Sequence, residues 1–377
     1  MPEPDATTTT APAVGGKDRE FPCGKCGAKL TFAPGTRHLK CAYCGFENEI
    51  AQDAATVVEE IDYTSTLEKL SQSRDAVERL TVHCDSCGAT VEMAPNVTSQ
   101  SCPFCNTPIV AHAVSQRLIK PHALLPFAVP ENTAREKFRA WLKSLWFAPT
   151  ELKRSAGIEG KLGGVYMPYW TYDCRATTPY TGQRGDAYYV TVPTTVMVNG
   201  KPQTRMVQQR HVRWSPAAGT VRNTFDDVLV AASTSLDRER VDGLGRWDLK
   251  NLTPYTDEFL SGFRAESYTI DLPQGFEAAK GIMRPTIEST ICADIGGDHQ
   301  RITSMSPRYD GITFKHILMP IWVSAYRYRA KVYRFLVNGR TGEISGERPW
   351  SAWKITLAVL AGLAVIGVII AIAAASK

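Results

Sequence analysis

Residues 164–198 read GVYMPYWTYDCRATTPYTGQRGDAYYVTVPTTVMV. Tyr, Val and Thr dominate, and Gly breaks the run, which is the texture of strands and turns. Asn199-Gly200 follows, with QTRMVQQRHVRW beyond it. Asn-Gly between two β-rich runs predicts a two-residue hairpin. Upstream, PENTAREKFRAWLKSLWFAP (130–149) predicts a helix, because Pro130 suits its start and Phe138, Leu142 and Leu145 recur at helical spacing. Downstream, FDDVLVAASTSLD (225–237) and QGFEAAKGIMRPTIESTIC (274–292) also read as helices. The expected class is α+β with mainly antiparallel sheet. Met167-Pro168-Tyr169-Trp170 is echoed by Met319-Pro320-Ile321-Trp322, so the body, 113–350, reads as two related β units.

Outside this body the chain changes character. CGKCGAKLTFAPGTRHLKCAYC (23–44) holds two C-x-x-C pairs separated by 14 residues, and CDSCGATVEMAPNVTSQSCPFC (84–105) repeats the pattern with the same gap. The two align without insertion: Cys23, Cys26, Gly27, Ala28, Ala33, Pro34, Cys41 and Cys44 match Cys84, Cys87, Gly88, Ala89, Ala94, Pro95, Cys102 and Cys105. This is an internal duplication. One C-x-x-C turn aims two sulfurs at a point, and a hairpin brings the second pair opposite. Four thiolates in that arrangement suit tetrahedral zinc, with no position left for water, so each set predicts a closed structural site. An iron–sulfur cluster shares the four-Cys set, whereas a redox dithiol comes as a single C-x-x-C near a βαβ pattern, which is not seen here. His38, His83 and His112 lie near the clusters and read as surface or supporting residues. The remaining cysteines, Cys174 and Cys292, read as ordinary buried side chains.

The resulting layout is a disordered leader over 1–20, a first zinc ribbon over 21–50, a helical spacer over 51–80, a second ribbon over 81–112, the body, and an apolar helix over 353–375. The leader, MPEPDATTTTAPAVGGKDRE, is polar and has no apolar run, so it resembles no export signal. In the spacer, TSTLEKLSQSRDAVERL (64–80) predicts one helix, with Ser65 and Glu68 as a capping box and Leu67, Leu70, Val77 and Leu80 as its apolar positions.

The two Cys units resemble the zinc ribbons of transcription factors and replication-restart helicases. Nucleic-acid binding is the first thing this resemblance implies, and charge tests it. The net +5 divides into −6 over residues 1–112 and +9 over 113–352, with Lys354 and Lys377 adding the last two charges. The first ribbon carries Lys25, Lys29, Arg37 and Lys40, but the second has Asp85 and Glu92 and no Lys or Arg. Affinity for nucleic acid rests on neutralising phosphates. The second ribbon therefore fits protein contact or a structural role better.

Ile355 to Ala375 is 21 residues without a charge, enough to cross a hydrocarbon core of roughly 30 Å. Trp350 and Trp353 stand at its proximal edge, as headgroup-layer residues do. Arg348 and Lys354 on that side predict that the body is cytoplasmic, and unbridged thiolates agree with a reducing compartment. The expectation is a single-pass, tail-anchored protein of the cell membrane.

No nucleophile elbow, P-loop, H-E-x-x-H or dinucleotide glycine pattern occurs, so no catalysis is expected. Gly296-Gly297-Asp298-His299 reads as a turn, and Asp226-Asp227 as a helix N-terminus, where acids are stabilising. In Tyr326-Arg327-Tyr328-Arg329-Ala330-Lys331-Val332-Tyr333-Arg334 the aromatics are expected to pack one sheet face while the bases meet water or anionic lipid.

LPF at 125–127, WFAP at 146–149, GVYMPYW at 164–170, YTGQRGD at 180–186 and MPIWVSAYRYRAKVYRFLVNGRTGEISGERPW at 319–350 together resemble a bacterial family of membrane-anchored double zinc-ribbon proteins. The resemblance runs from about residue 20 to the end. Members often carry a primosomal or helicase-like label, yet this chain has no motor motif. The family's company of phage-shock-protein-A-like and SPFH-type membrane-scaffold proteins implies an adaptor that recruits such partners to the bilayer. A membrane-bound nucleic-acid binder or regulator without helicase activity is the alternative.

Overall fold

In a computed structural model, residues 21–51, 58–71, 77–83, 90–92, 99–101, 108–110, 114–155, 162–198, 201–328 and 331–375 are described. The first described elements are three short strands, β1 (Leu30–Phe32), β2 (His38–Cys41) and β3 (Glu47–Glu49), which form an antiparallel sheet in that order. A strand β4 (Ile61–Asp62) leads into helix α1 (Tyr63–Ser71). After β5 (Ala123–Leu124) come α2 (Glu131–Ser144) and α3 (Thr150–Ser155). The long strands β6 (Gly163–Val198) and β7 (Lys201–Ala231) follow, then α4 (Leu272–Ile295), β8 (His299–Met305), β9 (Arg308–Tyr328), β10 (Lys331–Asn338), β11 (Ile344–Gly346) and α5 (Ala352–Ala375).

The α+β class and the mainly antiparallel sheet are both present. Among the described residues one ten-stranded sheet holds β7-β6-β9-β5 in order. The β6–β7 pairing runs from Tyr169↔Ala231 to Val198↔Lys201, so two residues join the strands, as Asn-Gly predicts. The two M-P-x-W echoes lie on neighbouring central strands, with Met167 directly opposite Met319.

One face of β6 shows what covers the sheet. Tyr166 contacts Phe127 and Phe263, and Phe263 in turn contacts Phe32 of the first Cys unit. Further along, α4 takes over. Trp170 Nε1 donates to Ile270 O at 2.9 Å and Tyr172 Oη to Leu272 O at 2.7 Å, while Gly275 leaves room for both rings. A full capping box, Asp271 with Gln274, starts α4, and Gly296 at φ 65° ends it. The opposite face buries Val165, Met167, Tyr169, Ile317, Met319 and Ile321 beneath the segment around Leu236, Val241 and Leu244.

Beyond Gly185↔His299, where β8 stops pairing, β6 and β7 continue as a two-stranded arm from Asp186↔Arg213 to Val198↔Lys201. At about 3.3 Å per residue the arm is roughly 40 Å long. The face that is buried under α4 continues along it as Tyr188, Val190 and Val192, joined by Val207 of β7. Tyr188 is 47% exposed and Val190 39%.

Four expectations are corrected. Phe225–Ala231 is strand, not helix, and lies opposite β6. The helix expected over 64–80 ends at Ser71, and Val77–His83 is a strand paired with Val114–Leu118. Its cap is Asp62, whose carboxylate accepts from Ser65 N at 2.7 Å, in place of a Ser65–Glu68 box. Nor is the segment a free spacer: Ile61 and Asp62 pair with β9, and Tyr63 packs on Phe276 at 5.4 Å.

Candidate metal centre

Two matching turns build the first Cys site. Gly27 N donates to Cys23 O at 2.8 Å and Gly45 N to Cys41 O at 3.1 Å. Both glycines have positive φ, 75° and 70°, which a side chain would resist. Strands β1 and β2 then bring the second knuckle opposite the first through Leu30↔Cys41. The four sulfurs of Cys23, Cys26, Cys41 and Cys44 lie within 4.8 Å of one another, with Cys23–Cys44 and Cys26–Cys41 both at 3.5 Å. A zinc–sulfur bond of about 2.3 Å in a tetrahedron separates sulfurs by roughly 3.8 Å, so the cage fits a metal ion of that size.

Electrostatics point the same way. Amide donors at Cys44 and Tyr43 lower the Cys41 thiol to about 6. Cys26 is pushed up to about 12: the Ala28 amide favours its thiolate, but Cys41 and Cys44 outweigh that donor. Four thiolates this close need a cation among them. Cys23 and Cys41 are buried, Cys26 and Cys44 exposed.

The unit is docked on the body. Phe32 N donates to Ser261 O at 2.9 Å, Ser261 Oγ to Leu30 O at 2.6 Å, and Gly35 N to Phe127 O at 2.8 Å. Phe32 meets Phe259 edge-on at 5.1 Å.

Cys84, Cys87, Cys102 and Cys105 lie outside the described residues. Strands flanking them repeat the first unit's register, shifted by the 61 residues that separate the duplicates. Pro22↔Lys29 recurs as His83↔Thr90, and Lys40↔Glu47, Leu39↔Asn48 and His38↔Glu49 recur as Ser101↔Pro108, Gln100↔Ile109 and Ser99↔Val110. The duplication read from the cysteines thus extends to backbone pairing.

A second cluster escaped the sequence reading. Glu60, Asp173 and Asp226 bring carboxylates within 4.8 Å, and Lys315 lies 2.9 Å from Asp227, 3.3 Å from Glu60 and 3.9 Å from Asp173. Asp226-Asp227 is therefore no helix N-terminus; it is a bulge in β7, with Asp227 at φ 51° and its amide donating to Asp173 Oδ1 at 2.5 Å. Burial and neighbouring Glu60 raise the Asp173 carboxyl to about 7, while hydrogen bonds from Asp173 and Thr313 hold Glu60 at about 2. Lys315 already supplies a cation there, which makes the cluster a clasp between β4, β6, β7 and β9.

Other residues fall where the sequence placed them. Gly296–Asp298 turns the chain from α4 into β8, and Asp298 accepts from Ala187 N at 2.7 Å. Tyr326, buried, stacks on Tyr333 at 5.4 Å, and Lys331 is exposed. Cys174 is buried as expected, whereas Cys292 is only half-buried. Helix α5 is long and apolar enough to cross a membrane, and nothing among the described residues covers its apolar stretch.

The chain is 25% identical over 346 residues to an uncharacterized protein, YdjG, of Bacillus subtilis (strain 168), covering 89% of this chain and 91% of that protein. No family model matches the chain, and no solved structure matches it.

Proposed function

We propose that this protein is a membrane-tethered adaptor. Its α5 helix spans the cell membrane once, its body faces the cytoplasm, and zinc holds both Cys units as rigid, non-catalytic modules. The observation that carries this reading is the pairing of a bare apolar helix with a long strand ribbon whose apolar face has no covering layer among the described residues. A ribbon of two strands buries too little to need such a face for its own sake. Arg205 and Arg213 rim the stripe, so its partner carries an apolar ridge with acidic edges. Membrane-scaffold proteins of the phage-shock-protein-A-like or SPFH type are the class to test first. The base-free second ribbon argues against nucleic acid.

The test is a crosslinked pull-down of full-length protein from detergent-solubilised membranes. Wild type is compared with Tyr188→Ser/Val190→Ser and with Cys84→Ser/Cys87→Ser. Membrane-scaffold proteins captured by wild type and lost in either variant support the adaptor and identify the docking element. Salt-sensitive capture of DNA or RNA in their place would replace it with a nucleic-acid platform. Metal analysis of the same preparation is expected to give about two zinc per chain; iron with visible absorbance, or metal-free thiols, would sink the zinc assignment.

A further inference from the structure

The root of α5 is not a loose tether. Between β11 and α5 lie only residues 347–351, and most are fixed. Glu347 N donates to Arg334 O at 2.9 Å, Tyr326 Oη donates to Glu347 O at 2.7 Å, and Arg240 pairs with the Glu347 carboxylate. Arg348 covers the Trp350 ring at 4.3 Å. Ser351 N donates to Phe147 O at 2.8 Å, which ties the root to the loop between α2 and α3. Lys354, the third residue of α5, donates its ammonium to the carbonyls of Ala148 at 2.8 Å and Trp146 at 3.3 Å. A lysine at the end of a span usually extends toward water; this one reaches the body.

That loop carries an unexpected side chain. Leu145 and Ala148 are buried, yet Trp146 between them is 78% exposed. Trp350 and Trp353 at the helix root are exposed as well. A bilayer is about 30 Å thick in its apolar core and about 40–45 Å with headgroups, which leaves roughly 5–8 Å of headgroup on each side. The 24 residues of α5 span about 36 Å at 1.5 Å per residue, slightly more than the core. The first turn of α5 therefore lies in the headgroup layer, and the Trp146 backbone sits one hydrogen bond from it. Indole is the ring that this layer favours.

We infer that the loop Leu145–Pro149 is a second membrane contact, carried by the body, in which Trp146 enters the headgroup layer beside Trp350 and Trp353 and holds the body in one orientation on the bilayer. The inference rests on reading α5 as a membrane span. Along β6 the arm lies at the far end of the strand from Gly163, which pairs with Val323.

The test uses the full chain in vesicles of phosphatidylcholine and phosphatidylglycerol carrying a trace of phosphatidylcholine with a photoactivatable diazirine near its headgroup. After irradiation, lipid adducts are mapped by mass spectrometry. Adducts are expected on the peptide holding Trp146 as well as on Trp350–Ile355. In Trp146→Gln, a change at an exposed position, the loop adducts are lost and those at the root stay. Adducts at the root alone overturn the second contact. Adducts at neither place overturn the membrane span, and the second contact with it.

Discussion

The inner and outer halves of the β6–β7 hairpin are built from the same two strands and the same alternation, yet only the inner half is covered. Trp170 and Tyr172 are fully buried under α4, whereas Tyr188 and Val190, on the same face further out, stand in solvent. Along β6 the alternation runs unbroken between them, the one bulge lying in β7. The difference comes from α4, which stops at Ile295, where Gly296 and Gly297 turn the chain back into the sheet edge. Alternation decides which face of a strand is apolar; it does not decide what lies on that face. On the adaptor reading proposed above, the uncovered face is where a partner completes the fold.

The comparison breaks first at the inner half. Trp170 packs against Tyr268, Phe314 and His316 and donates to Ile270 O. Trp170→Ala opens a cavity and orphans that carbonyl, so a loss of about 3–5 kcal/mol is expected. Denaturant unfolding of the full chain in detergent measures it. A cost below about 1 kcal/mol, the level of an ordinary point change, would mean that α4 does not clamp the hairpin.

How far this was legible follows from the same strands. The β texture of 164–198, the Asn-Gly turn, α2 and most of α4 carried their own signals, as did the Cys knuckles and α5; the expected Gly breaks within 164–198 did not appear, since Gly182 and Gly185 lie inside the unbroken strand β6. Phe225–Ala231 did not, for a physical reason. Phe225 and Val228 are three apart and read as one face of a helix. In the structure the Asp226-Asp227 bulge swallows one residue, so that Phe225, Val228, Val230 and Ala232 all reach the cluster under α4. A bulge can thus imitate helical spacing. Val77 and Leu80 misled differently: their partners, Leu118 and Ser115, lie far along the chain, and no local pattern reveals such a pairing. The Glu60–Asp173–Lys315 clasp joins residues up to 255 apart, and its only trace in the sequence was the adjacent pair of aspartates. Trp146 was legible as part of a helix ending, but its place beside the anchor depends on Lys354 reaching back over 208 residues.

The clasp marks the middle of the inner half and gives a smaller, pH-dependent test. Asp173 titrates near 7 in the fold against an ordinary value of 3.8. A carboxyl raised by folding is favoured in its protonated form, so its contribution is full below the ordinary value and fades as pH rises through about 7. Asp173→Asn keeps a neutral side chain at every pH. Wild type is therefore expected to lose stability relative to this variant between about pH 4 and 7, with a midpoint shift visible in thermal melts. Glu60, held low, titrates below that window. Parallel stability curves for the two proteins would show that Asp173 is ionised throughout and that Lys315 alone balances the cluster.

The smallest expected effect on stability belongs to the outer half, and it sharpens the comparison most. Tyr188 and Val190 are already about half in water, and Tyr188 gains only a stacked contact with His211 at 5.6 Å. Tyr188→Ser/Val190→Ser is expected to change unfolding free energy by no more than about 1 kcal/mol, about 0.5 for each surface change. The same variant is expected to abolish partner capture. A large loss of stability would mean that the stripe is covered in the free protein, and the two halves of the hairpin would then differ only in which part of the assembly covers them. Unchanged stability with unchanged capture would leave the arm without a docking role and move that role to the Cys units, whose own double substitution at Cys84 and Cys87 would then have to remove it.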